Sequence, residues 1–229
     1  MYQGWIVNRD GETERAADTT LSELRTRGNF AHRAFDLVIA IFGIIFTAPL
    51  LLATAIAVKL VDRGPALFGH QRIGLGGRTF LCLKFRTMVI DADEQLARLL
   101  ETDASACREW ERDHKLRKDP RITPIGEFLR RSSLDELPQL INVLRGEMSI
   151  VGPRPIVAAE VCRYGPRFAS YCKVRPGITG FWQVSGRNDL SYRRRVAMDT
   201  VYAKKKSLGW DLRIVIMTVP ALLFAKGSY

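Results

Sequence analysis

Between Asp36 and Lys59 the sequence runs for 22 residues without a charge, LVIAIFGIIFTAPLLLATAIAV, Leu37 to Val58. At about 1.5 Å per residue, one helix of this length just crosses a hydrocarbon core of about 30 Å. Pro49 stands near its middle, where a missing N–H interrupts the helical ladder. Each half alone reaches only about half the core. Both flanks are basic, with Arg25, Arg27, His32 and Arg33 before and Lys59, Arg63, Arg72 and Arg78 after. Equal flanks set no direction for a crossing, but they suit a segment whose two ends stay in the cytoplasm. The segment reads equally as a re-entrant helical hairpin or as a kinked span, since proline is tolerated in membrane helices. A buried helix of a soluble domain fits the length less well. A membrane protein is expected.

The net charge of the 229 residues is +11, and residues 1–30 sum to −1, so the remainder carries +12. Such an excess calls for an anionic partner, whether nucleic acid, acidic lipid or a phosphorylated substrate. A nucleic-acid binder would interleave basic and aromatic residues on a known module, and no such pattern is present. The polar first 30 residues lack an apolar core, so no cleavable signal peptide is expected, only an arm or short surface helix. Cys82, Cys107, Cys162 and Cys172 form no CxxC pair, which points to free thiols in a reducing compartment rather than a zinc site.

Residues 65–88 carry two apolar, β-favouring runs joined by Leu75-Gly76-Gly77, the pattern of a β-hairpin. A charged amphipathic helix is expected from Ala92 to about His114, a surface element that could serve a homodimer contact. A turn at 118–124 and a short helix at 125–131 follow, then a surface helix at 156–172. The Gly- and Pro-rich stretch 174–188 implies a specified loop with exposed backbone donors, as phosphate sites need. Ser191 to Lys206 returns to helix, and Leu208 to Ala225, with Trp210 and the preceding lysines, suits an interfacial helix on anionic lipid.

The densest chemistry lies in Arg130–Pro155, RRSSLDELPQLINVLRGEMSIVGPRP. Ser133 and Glu136 have the spacing of a capping box, Leu137, Leu140, Ile141 and Leu144 fall at helical spacing, and Gly146 is a stop. Two adjacent acids at a positive helix end, with arginines on both sides in sequence, suit phosphate and a divalent metal. Walker, GxGxxG, GxSxG and HExxH motifs are absent.

KFRTM (84–88), DPRIT (119–123), LRRSSLDELPQLINVLRGEMSIVGPRP (129–155), VRPGITGFWQVSGRN (174–188) and the following helix with Asp199 resemble the bacterial sugar transferase family. These are small monotopic polyprenyl-phosphate phosphoglycosyl transferases, and the resemblance covers about residues 31–229. The tail Lys226-Gly227-Ser228-Tyr229 is similar to members that begin exopolysaccharide synthesis. The resemblance implies an α+β, membrane-associated protein. Residues 31–62 would form a re-entrant helix-break-helix hairpin, and residues 63–229 a mostly helical cytosolic catalytic domain with a small β-hairpin. Its place would be the cytoplasmic face of the bacterial inner membrane, with both termini cytoplasmic. The reaction implied is transfer of a sugar-1-phosphate from a UDP-sugar to undecaprenyl phosphate, with release of UMP.

The same resemblance makes Asp135 the nucleophile of an aspartyl phosphosugar intermediate and Glu136 a ligand of Mg²⁺, with Mn²⁺ as an alternative. Arg130, Arg154 and Arg187 would be active-site arginines, and Lys84 and Asp199 would lie near them. The helix dipole and the arginines are expected to keep Asp135 ionised. Many members carry Ser-Pro at the membrane break, whereas this chain has Ala48-Pro49. Thr47 is the expected substitute for the missing hydroxyl.

Overall fold

In a computed structural model, residues 30–113, 116, 118–186 and 190–223 are described. The expected N-terminal arm and Arg187 lie outside them. The long apolar segment forms one helix, α1 (Phe30–Asp62), uninterrupted at Ala48-Pro49. Its 33 residues extend about 50 Å. The Thr47 hydroxyl donates to the Gly43 carbonyl at 2.6 Å rather than to the Ile45 carbonyl, to which Pro49 offers no N–H. Such back-bonding to residue i−4 bends helices.

One stripe of α1 faces the rest of the protein. His32, Asp36, Ala40, Thr54 and Val58 are buried, with Gly43, Thr47 and Leu51 half-buried between them. Phe42, Ile45, Phe46, Leu52, Ile56 and Leu60 point outward and exposed. This is the helical pattern of one packed face and one broad apolar face. The helix is held along its length. Asp36 Oδ1 accepts from Ser149 Oγ and Ile150 N, and Arg33 donates to the Val143 and Leu144 carbonyls. At the other end Val58 packs with Phe85 and Leu129.

Strands β1 (Leu67–Ile73) and β2 (Thr79–Phe85) pair antiparallel from Leu67↔Phe85 to Ile73↔Thr79, as the sequence predicts. The expected helix over 92–114 is two, α2 (Ala92–Thr102) and α3 (Ala104–Asp113). Asp103 divides them by accepting from Ser105 N and Ala106 N, the bonding of an N-cap. Helix α4 (Pro124–Ser132) starts with Thr123 capping Gly126 N and Pro124 in the first turn. Helix α5 (Gln139–Arg145) ends at Gly146 (φ 79°).

A short parallel pair, β3 (Ser149–Val151) with β4 (Gly177–Thr179), joins the two conspicuous loops. A Cβ on Gly177 would lie 2.0 Å from Gly152 N, so the backbones meet only because a side chain is absent there. Residues 156–172 form no single helix. Short turns around Gly165 and Pro166 include α6 (Val161–Tyr164) and α7 (Phe168–Tyr171), and they bury Tyr164 and Tyr171. After α8 (Phe181–Val184) come α9 (Tyr192–Lys205), capped by Ser191, and α10 (Leu208–Leu223). The main core gathers Ala40 of α1 with Cys82, Leu140, Val143, Met148, Ile150, Tyr202 and Ile214.

Candidate active site

Ser133 is not the N-cap its spacing suggested. It lies in the left-handed region (φ 58°) and closes α4, its N–H bonded to the Arg130 carbonyl. Leu134–Glu136 then make a single 3-10 turn, and Pro138 precedes α5. The Ser133 side chain makes no capping bond, and Asp135 and Glu136 stand before a seven-residue helix rather than within its first turn.

This turn faces the hairpin. Lys84 Nζ lies 2.6 Å from Glu136 Oε1 and 3.8 Å from Asp135 Oδ2, so one ammonium serves two adjacent carboxylates. Asp135 is buried, whereas the Glu136 side chain is 25% exposed. Arg130, near the end of α4, donates from Nε to Thr87 Oγ1 at 2.8 Å. Thr87 is fixed from behind, its carbonyl accepting from Thr123 N at 3.0 Å. KFRTM, DPRIT and the central stretch thus meet at one place.

The two carboxylates differ. Burial pushes Asp135 upward, and Glu136 adds to this, while Lys84 and Arg130 act the other way. Burial raises Glu136 too, but Lys84, Arg154 and Arg72 outweigh it and hold this carboxyl below its ordinary value. The dipole and arginines expected to keep Asp135 ionised do not hold its carboxyl below the ordinary value, and the net shift is upward. Its turn belongs to no long helix, and desolvation is the larger effect.

A narrow cavity opens beside Glu136, lined by Arg72, Cys82, Lys84, Glu136, Gln139 and Arg154. Arg154 is exposed at its side, on the loop after β3. Burial raises the Cys82 thiol, which removes it as a rival nucleophile. Asp199 does not line this cavity. It is buried on α9, accepts from Tyr164 Oη at 2.7 Å, and is pushed up by burial to about 7. Ala48 and Pro49 are exposed on the outer side of α1. Sequence reasoning missed Arg72, Cys82 and Gln139, and read Arg72 as a flanking charge. The alternation of the hairpin could have found two of them, because Arg72, Cys82 and Lys84 share one face in the observed register.

Asp135 and Glu136 thus share one lysine beside arginines and a long apolar helix, a charge pattern that suits phosphorylated ligands at a membrane surface. Residues 27–225 match the bacterial sugar transferase family, and the chain belongs to it. It is 49% identical over 206 residues to the exopolysaccharide production protein ExoY of Sinorhizobium fredii, covering 90% of this chain and 91% of that one. It is 48% identical over 200 residues to the undecaprenyl-phosphate galactose phosphotransferase of Salmonella typhimurium, covering 87% of this chain and 42% of that longer protein. It is 40% identical to the UDP-glucose:undecaprenyl-phosphate glucose-1-phosphate transferase of Caulobacter vibrioides, across 96% of this chain and 83% of that one.

Proposed function

We propose that this protein transfers a hexose-1-phosphate from a UDP-sugar to undecaprenyl phosphate on the cytoplasmic face of the inner membrane, and that Asp135 carries the phosphosugar between them. The observation that bears this reading is the Lys84–Asp135–Glu136 cluster, set against the helix that would lie in the membrane. An Asp135 oxygen attacks the sugar-bearing phosphorus, and the bond to the UMP oxygen breaks with its electron pair leaving on UMP. The acceptor phosphate then attacks the same phosphorus and returns the Asp135 carboxylate. The acceptor oxygen is already anionic and needs no general base. Two half-reactions let a soluble nucleotide and a bulky lipid use one small site in turn. Lys84 and Arg130 offset charge around the phosphoryl group.

The acid pair fits Mg²⁺ or Mn²⁺. Lys84 Nζ already marks a cation position against both carboxylates, and no larger His/Cys/Asp/Glu cluster is found among the described residues. Mg²⁺ is commonly held this way, by one or two carboxylates together with substrate phosphates. Glu136, with Asp135, would hold the ion, which when bound would offset the charge of the diphosphate.

Relatives named for galactose and for glucose both resemble the chain, so UDP-hexoses are the class to test. With a UDP-hexose and Mg²⁺ but no lipid, about one UMP per enzyme should appear as a burst. The protein should gain the mass of a hexose phosphate at Asp135, and Asp135→Asn should lose both signals. Normal turnover with lipid but no burst would establish direct transfer instead.

A further inference from the structure

Arg72 has no part in the mechanism above, yet it lines the same cavity as Lys84, Glu136 and Arg154. It projects from the same hairpin face as Lys84, and its side chain is only 16% exposed. Nη1 donates to the Pro155 carbonyl at 3.2 Å, beside Arg154, and Nη2 contacts His70 Nδ1 at 3.0 Å. The carboxylate paired with it is Glu160, at 3.8 Å. Glu136 is already engaged by Lys84 at 2.6 Å. Burying a guanidinium against so distant a counter-charge is costly, and Arg154 beside it adds a second positive charge. An anion entering this end of the cavity would offset that cost.

The hairpin gives the cavity a direction. Its base is at the membrane helix, where Phe85 packs with Val58 of α1. Its far end is tied to the Pro155 loop, where Ile73 N donates to the Ile156 carbonyl. Lys84 pairs with Phe68 near the base and Arg72 with Phe80 toward the far end, about 13 Å apart along the strands. A lipid phosphate would then enter from the base, and a soluble nucleotide from the far end.

On the transferase reading, we propose that Arg72, together with Arg154, holds the phosphate of the departing nucleotide. The planar fork of Arg72 takes two phosphate oxygens, while Lys84 and Arg130 attend the phosphoryl group being moved. Arg72 thereby discriminates the nucleoside monophosphate from the lipid monophosphate, although both present the same terminal group.

The test is direct binding of UMP to the full chain in lipid nanodiscs, by calorimetry, beside the KM for undecaprenyl phosphate. Arg72→Gln can still donate to the Pro155 carbonyl and so keep the loop, and Arg72→Lys keeps the charge without the fork. UMP affinity should fall at least tenfold in Arg72→Gln and several-fold in Arg72→Lys, with the KM for the lipid and the melting temperature unchanged. Unaltered UMP affinity would overturn the assignment, and so would a lipid KM rising in parallel with the UMP Kd. A wild-type burst with normal UMP binding in Arg72→Gln removes only the role of Arg72. A wild-type chain that neither releases UMP from UDP-hexoses nor binds it removes the transferase reading and this assignment together.

Discussion

Asp135 and Glu136 are neighbours, but burial raises one carboxyl while Lys84 and the arginines lower the other. The nucleophilic role requires Asp135 ionised, so the burst rate should climb with pH across a range above that of an ordinary carboxylate, as rapid-quench measurements from pH 4 to 8 can show. Glu136→Gln should remove the nearer of the two carboxylates that Lys84 engages and cost about 1–2 kcal/mol in denaturant unfolding, and it should raise the Mg²⁺ concentration needed for turnover. EDTA should abolish turnover and Mg²⁺ restore it. Asp199 permits a cleaner pH experiment, because burial raises it to about 7. A carboxyl whose folded value lies above its unfolded one holds its proton more tightly when folded. Its contribution is therefore favourable below about pH 4 and is lost as pH rises toward 7. Asp199→Asn keeps an acceptor for Tyr164 and cannot ionise, so its melting temperature should gain on wild type as pH rises from 5 to 8. A gap that stays constant over that range would mean Asp199 titrates normally.

At the scale of elements, α4 shows how tightly the site is built. A Cβ on Gly126 would lie 2.0 Å from the Thr87 carbonyl oxygen, a contact that no rotamer change relieves. Gly126→Ala should therefore destabilise by about 3 kcal/mol and cut turnover as well, since Thr87 positions Arg130. Thr123→Ala should cost about 1 kcal/mol through the lost cap, measurable by urea unfolding. The helix itself was legible as a short segment at 125–131, whereas the Thr123 cap and Pro124 start were read as part of the preceding turn. The hairpin was legible because its alternation and turn glycines pointed one way. Ser133 and Glu136 misled because the same spacing can arise when the serine finishes the preceding helix. Asp103 went unread because its neighbours continue an amphipathic pattern across it. The parallel β3–β4 pair could not be foreseen from three-residue strands 28 positions apart, and Arg72 was hidden by its place in a basic flank. Residues that share a motif were recognisable, whereas those brought together only by strand register were not.

The whole molecule is arranged along α1. Leu140 touches the position of Gly43, and Leu134 packs with the layer containing Leu51 and Ala55, so Asp135 lies abreast of the middle of the apolar helix. If that helix crossed the bilayer upright, the acid pair and Lys84 would sit near its centre, where charge is expensive. A shallow, re-entrant or bent placement avoids this and brings the site to the headgroups. Single cysteines at Ala31 and Arg63 should then label from the same side of the membrane, and labelling from opposite sides would require a span. Pro49→Leu should strengthen the ladder, let a fraction of molecules cross, and lower activity in proportion. The bond from Asp36 to Ser149 and Ile150 also sets an order of events during synthesis. Translation proceeds at about 5–20 residues per second, so Asp36 leaves the ribosome several seconds or more before its partners. During that interval its carboxylate needs water. In a shallow placement the apolar helix would settle at the lipid surface first, with this end still hydrated, and the catalytic domain would close onto it afterwards. Nascent chains arrested before Ser149 should already resist salt extraction from membranes while remaining open to protease, so that docking in the lipid precedes folding.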